Sequence, residues 1–461
     1  MTSKLVTNTY SRSRSRGSCN SSPTVKNMKI NIFWFRRDLR LEDNTGLNQA
    51  LSSGLPVLPL FIFDKNITDE LPADDPRVNF IYESLSALDK ELQKSGSSIL
   101  ILKGDPIKIW EELITSYDIN EVFINKDYEP YAVERDGKIS VLLARHNYGL
   151  KKFKDQVIFE ESEILKPNGK PYTVFTHYKN MWLRKLKESL PSITYQKAPD
   201  DLRYYQKHFR FPHPDELKFR KSNILVKPYD LSVIHDYHKY RDIPAADKTS
   251  YLSPHLRFGT ASIRKVVDKA YNENLSFLNE LIWREFFMQI LLHFPNVVTN
   301  NFKPVYDDIT WRNDEKEFKR WCDGETGYPI VDAGMRQLKS SGYMHNRVRM
   351  ITAGFLCKHL LIDWRWGEAY FAQKLLDYEL SSNNGNWQWA AGTGCDAVPY
   401  FRIFNPVTQQ KKFDPENEYV RKWTGYTGET GYPEKIVAHD FARHRALTAY
   451  KSGIIRNPKN Y

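Results

Sequence analysis

The stretch Asn383-Asn384-Gly385-Asn386-Trp387-Gln388-Trp389 decides how the second half of this chain folds. Its two indoles, separated by one residue, follow a polar, glycine-containing segment that we predict to be a turn. Eight of the eleven tryptophans lie between Trp283 and Trp423. Indoles placed among Arg, Asn and Asp indicate an aromatic cavity with polar side chains rather than a plain core.

Size and composition describe a folded, basic protein. The 461 residues allow two or three domains, and the hydrophobic fraction of 41% is too high for a disordered chain. A net charge of +11 favours a polyanionic partner, nucleic acid before an anionic membrane, although a merely soluble basic protein fits the charge equally well. The four cysteines form no CxxC pair, which argues against a disulfide framework or a structural zinc and for a reducing compartment. No apolar run approaches the ~18–20 residues of a membrane span.

Residues 1–27 differ from everything that follows. Arg12, Arg14 and Arg16 alternate with serine, and no acidic residue comes before Asp38. An organellar transit peptide and an ordinary disordered tail both have this composition, and Met28 is a second candidate start. Nucleus, cytoplasm and organelle therefore all stay open, and the segment is excluded from the fold.

Residues 28–155 alternate between strand and helix patterns. We predict strands over 30–35, 56–63, 98–102 and 121–125, with helices over 44–52, 78–94 and 106–116. This alternation predicts a parallel sheet covered by helices on both faces. No GxGxxG motif follows the first strand, so this domain need not hold the main cofactor.

The rest of the chain divides into two parts. Residues 156–228 are rich in Pro, Lys, Tyr and Phe, and predict a long connection that is partly helical near 176–190. In residues 229–461 the strand signal vanishes and the windows have helical spacing. We therefore predict an all-α second domain.

Several motifs carry candidate chemistry, and each also has an ordinary structural explanation. Arg36, Arg37 and Arg40 follow the first strand, where open α/β sheets bind ligands, but a solvated charged turn would look the same. The hydroxyl-rich stretch 249–253 suits a phosphate or an ordinary capped loop. Helical spacing puts Glu280 and Trp283 on one face.

Taken together, these motifs resemble the photolyase/cryptochrome family, most closely its class I cyclobutane pyrimidine dimer photolyases. The similarity begins at Phe33-Trp34-Phe35-Arg36-Arg37-Asp38-Leu39-Arg40, becomes dense from 249 to 405, and covers about 29–450. It implies a Rossmann-like α/β antenna domain followed by an all-α domain that binds FAD.

The resemblance also assigns a cofactor site. It implies that FAD is contacted by Tyr237, Thr249, Ser250, Leu252 and Ser253, that Arg349 and Asp377 pair across the isoalloxazine, and that Asn383 faces flavin N5. The second acidic position of the family is Glu379 here, on a longer side chain than the usual Asp. A second, antenna chromophore is expected to be a folate, a deazaflavin, a flavin or none. Glu134 matches a folate position, but Val298-Thr299 stands where some folate-binding members carry Cys-Lys.

The same resemblance implies the substrate and a route for electrons. The substrate would be DNA containing a flipped-out pyrimidine dimer, bound by a monomer with no membrane partner. Lesion-pocket positions match Glu280, Trp283, Asn346, Met350 and Trp389, and phosphate-binding positions match Arg241, Arg284, Arg347 and Arg402. Trp387, Trp364 and Trp311 match an electron relay that re-reduces the flavin.

Two functions from different classes remain. The first is repair by electron transfer from photoexcited, reduced FAD to the dimer, in which Glu280 stabilises the developing charge. The second is a cryptochrome-like blue-light receptor that signals without repair. Asn346 and Met350, where photolyases of six–four photoproducts carry His, argue against that other lesion as substrate.

Overall fold

The computed structural model of the chain describes residues 28–189, 203–427 and 431–456. The predictions for residues 1–27 lie outside this part of the chain. Within it, one parallel sheet near the N-terminus is followed by a helical region, which confirms the predicted fold class.

The sheet has five parallel strands in the order β3-β2-β1-β4-β5. The strands are β1 (Ile30–Phe35), β2 (Val57–Asp64), β3 (Leu100–Gly104), β4 (Ile119–Asn125) and β5 (Gly149–Phe153). Every residue of β1 and β2 is buried, as expected for central strands covered on both faces. The edge strand β5 was not predicted, because its exposed Lys151 and Lys152 interrupt the apolar pattern.

Helices cover both faces of this sheet. They are α1 (Thr45–Leu51), α2 (Lys65–Thr68), α3 (Pro76–Gln93), α4 (Pro106–Ser116) and α5 (Pro130–Arg145). The last three begin with a proline directly after an acidic residue, since proline at the first helical position sacrifices no intrahelical hydrogen bond. Helices α1 and α3 pack on one face, and α4 and α5 on the other.

After β5, the described residues contain helices, loops and isolated β-bridges but no further strand. The α-helices are α6 (Phe175–Ser189), α7 (Tyr237–Tyr240), α8 (Ser253–Phe258), α9 (Ile263–Glu273), α10 (Leu275–His293), α11 (Glu315–Asp323), α12 (Pro329–Ser341), α13 (Asn346–Gly354), α14 (Trp364–Lys374), α15 (Leu380–Ala391), α16 (Pro406–Phe413), α17 (Glu418–Thr424) and α18 (His439–Arg456). A π-helical segment, Phe355–Leu360, continues α13. Of the helices in the described ranges, none is long and apolar enough to cross a membrane.

The predicted turn at 383–386 is wrong, because these residues lie inside α15. A Cβ atom on Gly385 would lie 2.1 Å from Cδ1 of Phe287, so the glycine lets α10 approach α15 closely. The Asn384 side-chain amide donates to the Val297 carbonyl at 3.0 Å. These tertiary contacts outweigh the low helix propensity of Asn and Gly.

A buried carboxylate ties the connection between the domains to α10. Glu285 accepts hydrogen bonds from the backbone N–H groups of Ile158 (2.7 Å) and Phe159 (3.1 Å), and from Tyr178 Oη (3.2 Å) and Trp182 Nε1 (2.7 Å). Burial nevertheless raises the pKa of Glu285 to about 7. The helix that carries Glu280 and Trp283 is therefore anchored to the chain that leaves the sheet.

Candidate active site

Arg37, the second arginine after β1, joins the two domains. Arg37 Nη1 lies 3.0 Å from a carboxylate oxygen of Asp127 and 3.2 Å from one of Glu129, while its Nη2 donates to Glu379 in the helical domain. Burial alone would raise the pKa of Glu379, but Arg284 and Arg37 hold it below its usual value. The carboxyl edge of the sheet is thus occupied by an ion network.

A second group of charges reinforces the same interface. Arg40 Nη2 donates to both carboxylate oxygens of Asp155 at 2.8 and 2.7 Å, and Arg264 of α9 lies 2.8 Å from Asp155. Arg264 also contacts Asp43 at 3.0 Å. The alternative of a solvated charged turn at 36–40 therefore does not describe these arginines, whose side chains are almost fully buried.

Three predicted cofactor residues meet at one carboxylate. Asp377 accepts two hydrogen bonds from Arg349, at 3.2 and 2.9 Å, and a third from Ser253 Oγ at 2.6 Å. Arg349 Nε also donates to the Met344 carbonyl at 2.9 Å, which fixes the plane of the guanidinium. A bidentate pair of this kind is a rigid, planar polar wall.

The hydroxyl-rich stretch leads directly into α8. Thr249 and Ser250 are half-buried, Leu252 is buried, and Tyr251 between them has φ of 50°, in the left-handed region that L-residues rarely adopt. Tyr237, on α7, packs edge-on against Phe277 of α10, with ring centroids 5.1 Å apart. A constrained turn that carries hydroxyls and backbone N–H groups suits a phosphate.

Asn383 lies in the first turns of α15, close to two buried polar atoms that have no partner. Its side-chain amide donates to the Glu368 carbonyl at 3.1 Å. Among the described residues, Oε1 of Glu368 and Oγ of Ser381 form no hydrogen bond, and burial raises the pKa of Glu368 to about 7. Orphaned buried polar atoms are uncommon, so a polar ligand here is expected. The hydroxyls of 249–253 and the amide and carboxyl groups beside Asn383 are polar groups that suit a flavin dinucleotide.

The lesion-pocket candidates on α10 are brought together by two neighbours. Glu280 lies 3.0 Å from Arg241, and both side chains are about one-third exposed. Burial raises the pKa of Glu280, and Asp242 raises it further, while Arg241 lowers it. The Trp283 ring stacks on Phe175 of α6, with centroids 3.6 Å apart and planes 5° apart.

The other lesion-pocket candidates lie on α13 and α15, which pack against each other. Asn346 is exposed at the start of α13, Met350 follows one turn later, and Trp389 is half-buried on α15. Arg347 points its guanidinium to Asp242 at 2.6 Å and to the Met350 sulfur at 3.5 Å.

The four arginines predicted to bind phosphates do not share one environment. Arg402 is exposed and, among the described residues, has no ion-pair partner. Arg284 points inward, donating to the Gln156 carbonyl at 2.9 Å and to Glu379 at 3.1 Å. The structure therefore groups Arg284 with the interdomain network rather than with the exposed arginines.

The three tryptophans predicted to form an electron relay belong to one hydrophobic cluster, two in its buried part and one at its partly buried margin. Trp387 and Trp364 are fully buried in it, and Trp311 is half-buried against it. Trp387 contacts Phe371 with ring centroids 4.9 Å apart, and Trp364 Nε1 donates to Asn301 at 2.9 Å. A Cβ atom on Gly367 would lie 2.1 Å from the Trp387 ring, so only glycine leaves room for this indole.

Three residues of this region escaped the sequence analysis. Phe175 backs the Trp283 ring, Asp242 pairs with Arg347, and Trp321 contacts Trp387 with ring centroids 6.1 Å apart. Only Asp242 had a local signal, since it directly follows Arg241. The others come from distant segments, and sequence spacing cannot place them.

The folate-site candidate is exposed. Glu134 pairs with Lys138 one turn later at 2.6 Å, and both side chains are more than 60% exposed. Near the carboxyl end of the central strand β1, the Arg135 guanidinium lies over the Trp34 ring, 4.9 Å from its centroid.

Comparison with known proteins agrees across sequence and structure. A family model described as DNA photolyase matches residues 31–196, and one described as the FAD binding domain of DNA photolyase matches residues 277–426. The deoxyribodipyrimidine photo-lyase of Halobacterium salinarum is 38% identical over 432 residues, which span 86% of this chain and 89% of that protein.

Solved structures share the whole architecture. A bacterial class III photolyase from Agrobacterium tumefaciens has a TM-score of 0.81 at 35% identity, covering 95% of this chain and 99% of its own. An archaeal photolyase from Sulfolobus tokodaii with two FAD molecules has a TM-score of 0.78 at 35% identity, covering 92% of this chain and 100% of its own.

Proposed function

This chain belongs to the DNA photolyase family, and from that membership we propose how its own residues carry out light-dependent repair of cyclobutane pyrimidine dimers in DNA. The activity is that of a deoxyribodipyrimidine photo-lyase, a carbon–carbon lyase, working as a monomer. Bound FAD, in its reduced form, supplies the light-excited electron that splits the dimer. The class I assignment stays a prediction.

Two kinds of side chain hold the cofactor: hydroxyls bind its phosphates, and charged and amide groups contact its ring system. Thr249, Ser250 and Ser253 bind its phosphates, together with contacts from Tyr237 and Leu252. Arg349 and Asp377 lie across the ring system, and Asn383 faces it. Support comes from the bidentate Arg349–Asp377 pair and from the unpaired polar atoms beside Asn383.

Glu379 was also predicted to contact the cofactor, but its side chain has other partners. Its carboxylate is engaged by Arg37, Arg284 and Ser382, so its contribution to the cofactor site is made through the backbone. The Asn383 N–H donates to the Glu379 carbonyl at 2.8 Å, which begins α15. Glu379 therefore positions Asn383.

The dimer is bound between α10, α13 and α15. Trp283 and Trp389 stack on the extruded bases, and Asn346 and Met350 complete the pocket. Glu280 hydrogen-bonds the pyrimidines and stabilises charge that develops on them. The observation that carries this proposal is the placement of Glu280, Trp283 and Arg241 on adjoining half-exposed surfaces.

Trp387, Trp364 and Trp311 would relay an electron from a reductant in solution to the oxidised cofactor, which would restore its reduced state. Their common cluster, which reaches from the core to a half-buried indole, supports an electron path to the surface. Gly367 leaves the space that the Trp387 ring occupies.

A defined oligonucleotide with one thymine dimer tests whether the protein repairs the dimer in the light. With reduced flavin and light, we expect the dimer to disappear, and in the dark we expect it to persist. Binding without light-dependent loss would instead support the cryptochrome-like receptor. Curated relatives named deoxyribodipyrimidine photo-lyase at 33–38% identity favour repair.

The stacking pocket has its own test. Trp283→Ala and Trp389→Ala should each weaken dimer binding by about 5- to 150-fold, since a stacked base contributes ~1–3 kcal/mol. Binding that survived both changes unaltered would show that the pocket lies elsewhere.

An absorption spectrum of the purified protein, before and after cofactor release, identifies any antenna chromophore.

A further inference from the structure

One predicted phosphate-binding arginine is already bound to an anion within the protein. Both Nε and Nη2 of Arg347 donate to the same carboxylate oxygen of Asp242, at 3.2 and 2.6 Å. The Arg347 guanidinium also lies over the Phe413 ring, 4.4 Å from its centroid. Its direction is thus set from two sides.

The two members of this pair differ in exposure. The Arg347 side chain is 18% exposed, whereas the Asp242 side chain is 45% exposed. Asp242 is therefore the more solvent-accessible member of the pair. Because Asp242 is nearly half exposed, water and salt can replace it as the partner of Arg347, so a phosphate is able to displace the carboxylate.

The neighbouring pair repeats the arrangement. Arg241 precedes Asp242 in the chain and pairs with Glu280 at 3.0 Å. The four side chains Arg241, Asp242, Glu280 and Arg347 carry two positive and two negative charges, so their net charge is zero at neutral ionisation. In the free protein, two of the predicted DNA-binding arginines are therefore internally neutralised.

We infer that Asp242 occupies the place of a DNA phosphate on Arg347 and thereby limits the affinity of the protein for DNA. This inference rests on the proposed function, because it needs Arg347 to contact DNA. Phosphate and carboxylate oxygens bind a guanidinium in the same way, so each DNA molecule must exchange one anion for the other. Repaired DNA, which has lost the contacts of the extruded dimer, is then released more readily.

Equilibrium binding in the dark tests the inference. The probe is one duplex, with and without a single thymine dimer, and the protein is the full chain loaded with flavin. Asp242→Asn should tighten binding to the undamaged duplex by about 5-fold at low salt, because Arg347 no longer has a competing charge. Asp242→Glu, which keeps the charge, should stay within about twofold of wild type.

A matched control separates this effect from net charge. Asp236 lies in the same segment, is 42% exposed and pairs with Lys239 at 2.7 Å. Asp236→Asn makes the same charge change, and we expect it to alter affinity by less than about twofold. In an Arg347→Gln background, Asp242→Asn should have no larger effect than Asp236→Asn, since the residue it competes with is gone.

Three outcomes would overturn the inference. They are equal effects of Asp242→Asn and Asp236→Asn, a gain in affinity that survives Arg347→Gln, and a loss of affinity in Asp242→Asn, which would mean that Asp242 orients Arg347 for DNA. Failure of the proposed function is a separate result, namely a wild-type protein that does not prefer the dimer-containing duplex.

Discussion

Arginine–carboxylate pairs occur in two regions of this molecule, and their surroundings differ. At the domain interface, the side chains of Arg37 and Glu379 are 10% and 5% exposed. At the rim of the candidate lesion pocket, those of Arg241 and Glu280 are 31% and 33% exposed. The same chemistry therefore faces protein in one region and solvent in the other.

This difference in exposure separates two roles. A buried pair is costly to open, because either charge left alone in the interior loses both water and its partner. A half-exposed pair opens at little cost, because water and salt replace the lost partner. Interface pairs thus hold the domains together, whereas rim pairs are available to exchange partners with DNA.

Arg37→Ala tests the interface most severely. We expect a loss of about 3–5 kcal/mol in the free energy of unfolding, because the buried Asp127 loses its ion pair and Glu379 keeps only Arg284 as a buried partner. Urea unfolding measures the change. Arg210→Ala, at an exposed pair with Glu216, is the control and should leave the urea midpoint unchanged. Equal effects of the two substitutions would remove the distinction between buried and exposed pairs.

Arg284→Gln asks to which region this residue belongs. If it belongs to the interface, the free energy of unfolding should fall by about 1–3 kcal/mol, since Glu379 loses one of two buried partners. The dependence of DNA binding on salt should then stay unchanged. A reduced salt dependence with normal stability would instead return Arg284 to the DNA-binding set.

Arg402→Gln is the opposite case. The slope of log K against log salt should fall in magnitude by about 0.9, the contribution of one phosphate contact, and the loss should be the same for damaged and undamaged duplexes. Stability should not change, because Arg402 has no ion-pair partner among the described residues. A lower urea midpoint would contradict an exposed role.

The smallest expected effect concerns the ionisation of Glu280. Asp242 is one cause of the raised pKa of Glu280, so Asp242→Asn should lower that pKa. Dimer binding measured against pH in wild type, with Glu280→Gln as the reference, isolates the part that depends on Glu280. That part should move to lower pH in Asp242→Asn, and a shift to higher pH would be incompatible with the pairing at the rim.

Sequence patterns predicted the architecture but not its close contacts. The alternation of strand and helix up to β4, and helical spacing after 231, were sufficient for the fold class. The turn at 383–386 was misjudged because Gly385 and Asn384 favour helix only through Phe287 and Val297, which are distant in sequence. Local propensity contains no information on such partners.

The resemblance of motifs likewise predicted the types of residue at the site but not which charged side chains pair with each other. It named Arg241, Arg284, Arg347 and Arg402 as one group, and the structure separates them by their partners. Asp242 was not named at all, although it contacts Arg347. A motif records which residues recur, whereas the partner of each charge depends on how helices pack.

The amino-acid sequence alone determined the order of domains, the positive charge and the tryptophan-rich half, because these follow from composition and periodicity. Its motifs supplied the candidate residues for a flavin site and a dimer site, and these stay predictions. Only the tertiary structure decided that Arg37 and Arg284 meet Glu379, that Phe175 backs Trp283 and that Asp242 meets Arg347. Charge pairing and burial depend on distances between segments that are far apart in the chain, and those distances exist only once the chain has folded.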